Sequence, residues 1–328
     1  MPESIQTLFP ESVQIVLYIL LTVFGFVLLI KGADFFVDGA SGIASRFGIP
    51  QIVIGLTVVA FGTSLPEAAV SITAAFNQST GIAIGNVVGS NIMNILVILG
   101  LTSCIIPLTV QKNTLRFEIP FVIFITAVLV AFGIFAGELG IFAGIVLVLL
   151  FALFFVYLIR ISKNDGEQTE DEEPQKKQSV WKLLILTVAG VAAIVLGSNC
   201  AVDGATFIAQ KIGISDRFIG LTVVAFGTSL PELVTSVVAG KKGKADIAIG
   251  NIVGSNIFNI LFVLGATSLI CPVPYDPKFI VDGAVAIGAA VMLFVCILLN
   301  KQKKLGRLAG ALMLTGYAGY FAYLVMFQ

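Results

Sequence analysis

The stretch GLTVVAFGTSLPE runs from Gly55 to Glu67 and occurs again, residue for residue, from Gly220 to Glu232, 165 positions later. Each copy closes on a glutamate set in otherwise apolar sequence. Outward from this block the register holds without insertion from Gly32 to Ser103. VDGA at Val37–Ala40 returns at Val202–Ala205, and IAIGN at Ile82–Asn86 returns at Ile247–Asn251; VGSNI follows at Val88 and Val253, and NIL at Asn94 and Asn259. Packing alone tolerates exchange among apolar side chains of similar volume. A duplication that keeps glycines and polar residues more faithfully than apolar ones points to two half-sites that together build one site.

Composition fixes the solvent. With 58% hydrophobic and 12% charged residues, against roughly 25% charged in a soluble domain, the chain reads as an all-α integral membrane protein. Stretches of the roughly 17–25 apolar residues needed to cross a bilayer fit ten times, at about 13–44, 51–76, 81–106, 114–135, 139–161, 180–211, 217–240, 246–270, 279–299 and 305–326. Continuous apolar runs such as Ile141 to Ile159 exclude a membrane β-barrel, whose strands alternate and are much shorter. Ten transmembrane helices divide into five and five, and an odd number per repeat sends the second copy in from the opposite side. Two inverted five-helix repeats are therefore expected, over about 13–161 and 180–326, with the duplicated segments at about 51–106 and 217–270.

Most of the 19 Lys and Arg residues fall in loops after odd-numbered spans, among them Arg46, Lys112, Arg116, Arg160, Lys241, Lys242, Lys244, Lys301 and Lys304. The positive-inside rule then places both termini outside. The N-terminal stretch has Glu3 and Glu11 but no Lys or Arg, so it lacks the basic start of a cleaved signal peptide. Residues 162–179, polar, charged and containing Pro174, form the expected cytoplasmic linker, and its acidic run lacks the ligand spacing of a calcium loop. Cys104, Cys200, Cys271 and Cys296 show no paired spacing and read as free buried thiols. Asp34, Asp38 and Asp203 read as polar anchors near helix ends.

An ionisable side chain in the middle of a membrane helix costs about 2.5–3.5 kcal/mol on insertion scales, so Glu67 and Glu232 require compensation. No Lys, Arg or His stands beside them in the middle of their spans. Every nearby polar group is an oxygen donor instead. Thr63 and Glu67, four apart, share a helix face with Ser64. Pro66 lacks an N–H, which is expected to leave carbonyls around Ala60 to Gly62 free. The second half repeats the set as Ala225, Gly227, Thr228, Ser229, Pro231 and Glu232, while the third and eighth spans add Ser90 with Asn94 and Ser255 with Asn259. Carboxylates, hydroxyls, amide oxygens and main-chain carbonyls suit a hard cation such as Ca²⁺ or Na⁺. Gly85-x-x-x-Gly89 and Gly250-x-x-x-Gly254 are small-residue faces that let helices approach closely.

The paired GTSLPE blocks, each followed by GN-x-VGSNI-x-NI, resemble the two alpha repeats of the cation/calcium antiporter superfamily, in its sodium/calcium exchanger branch with prokaryotic relatives. The resemblance covers both halves. It implies a secondary active antiporter exchanging Ca²⁺ for Na⁺ across a prokaryotic plasma membrane, with a central site formed by spans two, three, seven and eight. The long spans one and six would slide across this core to alternate access. The implied ligands are Glu67 and Glu232, surrounded by Thr63, Ser64, Thr228 and Ser229. Ser90, Ser255, Asn94 and Asn259 would complete the ring, with the carbonyls of Ala60 and Ala225. No cofactor and no nucleic-acid partner is implied, only the transported ions and membrane lipid. Some relatives carry Asp at the position of Asn259; asparagine there speaks against potassium dependence and leaves two central carboxylates.

Two ionised glutamates and one Ca²⁺ make a neutral site, which can be occluded at least electrostatic cost. Two Na⁺ also neutralise the pair, and a third leaves one positive charge in excess. An empty, doubly negative site resists occlusion, so the protein is expected to translocate loaded forms only. The alternative is Ca²⁺/H⁺ antiport through the same glutamates, although GTSLPE is closer to the sodium branch. A channel is disfavoured because inverted halves meet at one ion site rather than along a continuous path. An intramembrane hydrolase is disfavoured because the chain contains no histidine to activate Ser64 or Ser229.

Overall fold

The computed structural model describes residues 10–76, 80–164, 179–211 and 225–327. Among these, eight helices are long and apolar enough to cross a membrane, and a bent pair of shorter helices makes a ninth candidate. In chain order the helices are α1 (Glu11–Phe47), α2 (Gln51–Thr63), α3 (Leu65–Phe76), α4 (Gly81–Ile105), α5 (Thr114–Ala136) and α6 (Ile141–Asn164). They continue as α7 (Val180–Lys211), α8 (Ala225–Thr228), α9 (Leu230–Lys241), α10 (Ala245–Ile270), α11 (Lys278–Leu299) and α12 (Arg307–Phe327). Most of the expected linker and the first part of the expected span at 217–240 lie outside the described residues.

α1 and α7 are the longest elements, 37 and 32 residues, and at 1.5 Å per residue each outruns a hydrocarbon core of about 30 Å. They run antiparallel in continuous contact. Gly25, Gly32 and Gly39 of α1, one heptad apart, have repeat equivalents in Gly190, Gly197 and Gly204 of α7. A β-carbon added at Gly25 would stand 2.7 Å from the Gly197 carbonyl oxygen, and one at Gly197 would stand 2.7 Å from the Gly25 carbonyl oxygen. Only glycine permits this approach, and the close contact supplies the dispersion that holds helices together where lipid removes any hydrophobic drive.

The buried centre is built from α2, α3, α4, α9 and α10, with α4 and α10 the most enclosed of the long helices. Gly250 and Gly254 of α10 act as their spacing predicted. A β-carbon at Gly250 would lie 3.0 Å from the Gly55 Cα, and one at Gly254 would lie 2.7 Å from the Leu56 carbonyl oxygen. α5, α6, α11 and α12 form the periphery, with exposed apolar side chains such as Phe135, Phe142, Leu299 and Leu308.

Two short antiparallel ladders tie the halves together outside the helices. β1 (Leu108–Thr109) pairs with β4 (Lys304–Leu305), and β2 (Glu138–Leu139) pairs with β3 (Val273–Pro274). Inside the C-terminal half of α1 rather than near its end, Lys242 Nζ lies 2.9 Å from Asp38 Oδ1 and 3.3 Å from Asp34 Oδ1, and Lys244 reaches Asp38 at 3.7 Å. Asp34 and Asp38 thus anchor α1 to the α9–α10 turn, whereas Asp203 is exposed. The four cysteines are free, as expected, but half-buried rather than buried.

Candidate functional site

The site begins at a break in the backbone. α2 and α3 meet at 52° around Ser64, whose φ of −86° and ψ of 10° leave the helical well. Ser229, between α8 and α9, adopts the same conformation with φ −91° and ψ 2°. The cause is the proline two residues on, Pro66 or Pro231, which withholds a main-chain N–H and crowds the preceding turn. One consequence differs from expectation. The Ala60 carbonyl is not left free: the Ser64 N–H donates to it at 3.0 Å, and the Thr63 and Ser255 hydroxyl oxygens lie 3.2 and 3.4 Å from it.

Each break sets a glutamate in the first turn of the following helix, Glu67 in α3 and Glu232 in α9, both fully buried. The serine of one half faces the carboxylate of the other. Ser64 Oγ donates to Glu232 Oε1 at 2.9 Å, and Ser255 Oγ reaches the same oxygen at 3.5 Å. Thr63 stands against Glu232 as well, and Thr228 and Ser229 stand against Glu67. Thr63 Oγ1 donates to Asn251 Oδ1 at 2.9 Å. The ion pairs among the described residues, all made by Lys242 and Lys244, leave both glutamates without a basic partner.

Helical geometry changes again where the asparagines enter. Residues Asn94–Leu99 of α4 and Asn259–Leu264 of α10 are π-helical, a widening of the ladder that is frequent at functional sites. Asn94 and Asn259, the first residues of these stretches, are buried. Glu67 Oε2, Glu232 Oε2, Ser229 Oγ, Asn94 Oδ1 and Asn259 Oδ1 are buried oxygens without a hydrogen-bond donor. Such atoms normally cost about 1–3 kcal/mol each, more when charged. Unpartnered carboxylate, hydroxyl and amide oxygens are the chemistry that suits a hard cation.

Of the residues expected here, Glu67, Thr63 and Ser64 meet Glu232, Thr228 and Ser229 across the halves, and Ser255 joins Glu232. Ser90, Asn94 and Asn259 are buried in α4 and α10. Ala225 opens α8. Sequence reasoning assigned no role to Asn86, Asn251, Asn91 and Asn256. Asn86 Nδ2 donates to the Glu67 carbonyl at 3.1 Å and to Ser71 at 3.0 Å, and Asn251 does the same for Glu232 and Ser236 at 3.3 and 3.0 Å. The signal was present, because all four asparagines lie in the duplicated GN and VGSNI motifs.

Residues 17–160 and 182–326 match the family model described as sodium/calcium exchanger protein. The chain is 36% identical to the inner membrane protein YrbG of Escherichia coli K12, over 93% of this chain and 95% of that one. It is 35% identical to the sodium/calcium exchanger MaX1 of Methanosarcina acetivorans, over 77% and 83% of the two chains. Among solved structures, that of the sodium-calcium exchanger NCX_Mj soaked with 2.5 mM Na⁺ and 0.1 mM Ca²⁺ is similar with a TM-score of 0.81 and 35% identity, covering 94% of this chain and 98% of that one.

Proposed function

Because the chain belongs to the sodium/calcium exchanger family, we propose that it exchanges Ca²⁺ for Na⁺ at the paired glutamates, by alternating access of one central site to the two sides of the membrane. The observation that carries this reading is the pair Glu67 and Glu232: two buried carboxylates in repeat-equivalent positions, each faced by hydroxyls of the other half and each with an oxygen that no donor satisfies. Ca²⁺ bound there is held by both carboxylates, with Thr63, Ser64, Thr228, Ser229, Ser90, Ser255, Asn94, Asn259 and the carbonyl of Ala225 as further oxygens; the Ala60 carbonyl joins them only by giving up the contacts it makes here. Na⁺ competes for the same oxygens. Because both ions draw on the same two carboxylates, they alternate in the site and exchange follows.

The architecture proposed is ten transmembrane helices in two inverted five-helix repeats, with both termini outside. It is supported by the 165-residue register, by π-helical turns at equivalent positions, and by ladders β1–β4 and β3–β2, which the register approximately interchanges. The glycine-lined pair α1–α7 is the element that moves across the core. Calcium uptake into vesicles containing the purified protein, with sodium, potassium or proton gradients imposed separately, tests the proposal. Uptake driven by sodium alone is expected, and uptake driven only by protons would establish Ca²⁺/H⁺ exchange instead.

A further inference from the structure

The amides of Asn94 and Asn259 sit at the ends of a crossed chain of hydrogen bonds whose polarity is fixed elsewhere. Asn91 and Asn256 are repeat equivalents, and each donates its side-chain Nδ2 to the other's main-chain carbonyl, at 3.1 and 3.2 Å. A carbonyl only accepts, so the atom facing it must be nitrogen. The remaining atom of each amide is then the oxygen. Asn256 Oδ1 receives Asn94 Nδ2 at 3.0 Å, and Asn91 Oδ1 receives Asn259 Nδ2 at 3.2 Å. An oxygen acceptor in turn compels nitrogen on that side of Asn94 and Asn259, leaving their Oδ1 atoms as the ends without donors.

We infer that Asn91 and Asn256 are positioning residues that turn the carbonyl oxygens of Asn94 and Asn259, rather than their NH₂ groups, toward the transported cation. The inference rests on the site proposed above. All four side chains are buried, so water does not compete for these bonds. The bonds run between the halves: Asn256 of α10 orients Asn94 of α4, and Asn91 of α4 orients Asn259 of α10. Neither half sets its own amide, and a half-site becomes a cation site only when the other half is docked. Asparagine is also the residue type the position requires. Aspartate loses the donor to the carbonyl, while leucine or alanine loses both functions.

Without the restraint an amide is free to turn its NH₂ group toward the cation. The penalty scales with ionic charge, so a divalent ion suffers twice the free-energy change of a monovalent one. Loss of one buried hydrogen bond and its orientation corresponds to about a tenfold change. In Asn256→Ala the apparent KM for Ca²⁺ is expected to rise about tenfold and that for Na⁺ about threefold, with maximal turnover little changed. The decisive measurement is a double-mutant cycle in proteoliposomes: once Asn94 is alanine, Asn256→Ala should add no further increase in calcium KM. Additive effects, or equal effects on both ions, would overturn the orienting role, as would an unchanged calcium KM in the single variant.

The cycle of Asn91→Ala with Asn259→Ala tests the same claim from the other half, should Asn256→Ala fail to fold. Glu67→Gln, measured alongside, separates this inference from the reading beneath it. Normal exchange in Glu67→Gln removes the site reading itself. A dead Glu67→Gln beside a wild-type Asn256→Ala removes only the orientation inference.

Discussion

At the residue scale, the chemistry reduces to how many negative charges face the cation. Glu67→Gln or Glu232→Gln keeps an oxygen ligand but leaves Ca²⁺ with one uncompensated buried charge, a defect of about 3–5 kcal/mol by analogy with breaking a buried ion pair. Sodium-driven calcium uptake is expected to fall more than about a hundredfold in either variant, while the protein still inserts and elutes as a single species. Asn259→Asp works in the opposite sense, adding a third ionisable group to a site already neutral with Ca²⁺. The new carboxylate must take up a proton or a further cation. Calcium uptake by Asn259→Asp should therefore differ from that of the unaltered protein in its dependence on pH or on potassium. Identical profiles against both variables would place Asn259 outside the ion cavity. The glutamates were legible because a carboxylate in apolar sequence is conspicuous; Asn91 and Asn256 lie within the duplicated VGSNI motif, yet their partners lie on the other half and could not be read from it.

At the element scale, the contact between α1 and α7 depends on having no side chain where the two backbones meet. Valine at Gly197 would force its β-carbon into the Gly25 carbonyl, with the Leu29 nitrogen also 2.7 Å away. Overpacking of this kind costs about 1–3 kcal/mol, so Gly197→Val should lower the melting temperature and slow exchange. Gly288→Val in α11, where a β-carbon meets nothing within 4 Å, is the matched control and should change neither property. Equal behaviour of the two variants would show that the glycine contact is unimportant. The seven-residue spacing of Gly25, Gly32 and Gly39 is present in the sequence, but glycine in a membrane helix is common and only the antiparallel partner reveals which ones touch.

At the scale of the whole molecule, two carboxylates fix the charge of each loaded state. One Ca²⁺ gives neutrality, whereas three Na⁺ leave one positive charge, and moving that charge through 100 mV is worth up to about 2.3 kcal/mol. Sodium-loaded vesicles are expected to accumulate calcium faster when their interior is clamped positive, because sodium exit then carries net positive charge down the potential. Rates unaffected by the clamped potential, with ion gradients held constant, would instead indicate neutral exchange of two sodium ions or a slow step that moves no charge.

The amino-acid sequence by itself determined that the chain is a helical membrane protein, that its halves repeat, and that Glu67 and Glu232 are the groups to explain. Those properties follow from local quantities: length of apolar run, register of identical residues, and the cost of charge in hydrocarbon. Tertiary structure alone decided which oxygen faces which. The Ala60 carbonyl, expected to be open, accepts the Ser64 N–H of its own half and has the Ser255 hydroxyl of the other half 3.4 Å away, and Ser64 answers Glu232 rather than the glutamate of its own half. Hydrogen-bond polarity is passed from atom to atom through space, so the direction of Asn94 is set by Asn256, 162 residues away, and no pattern within either repeat encodes it.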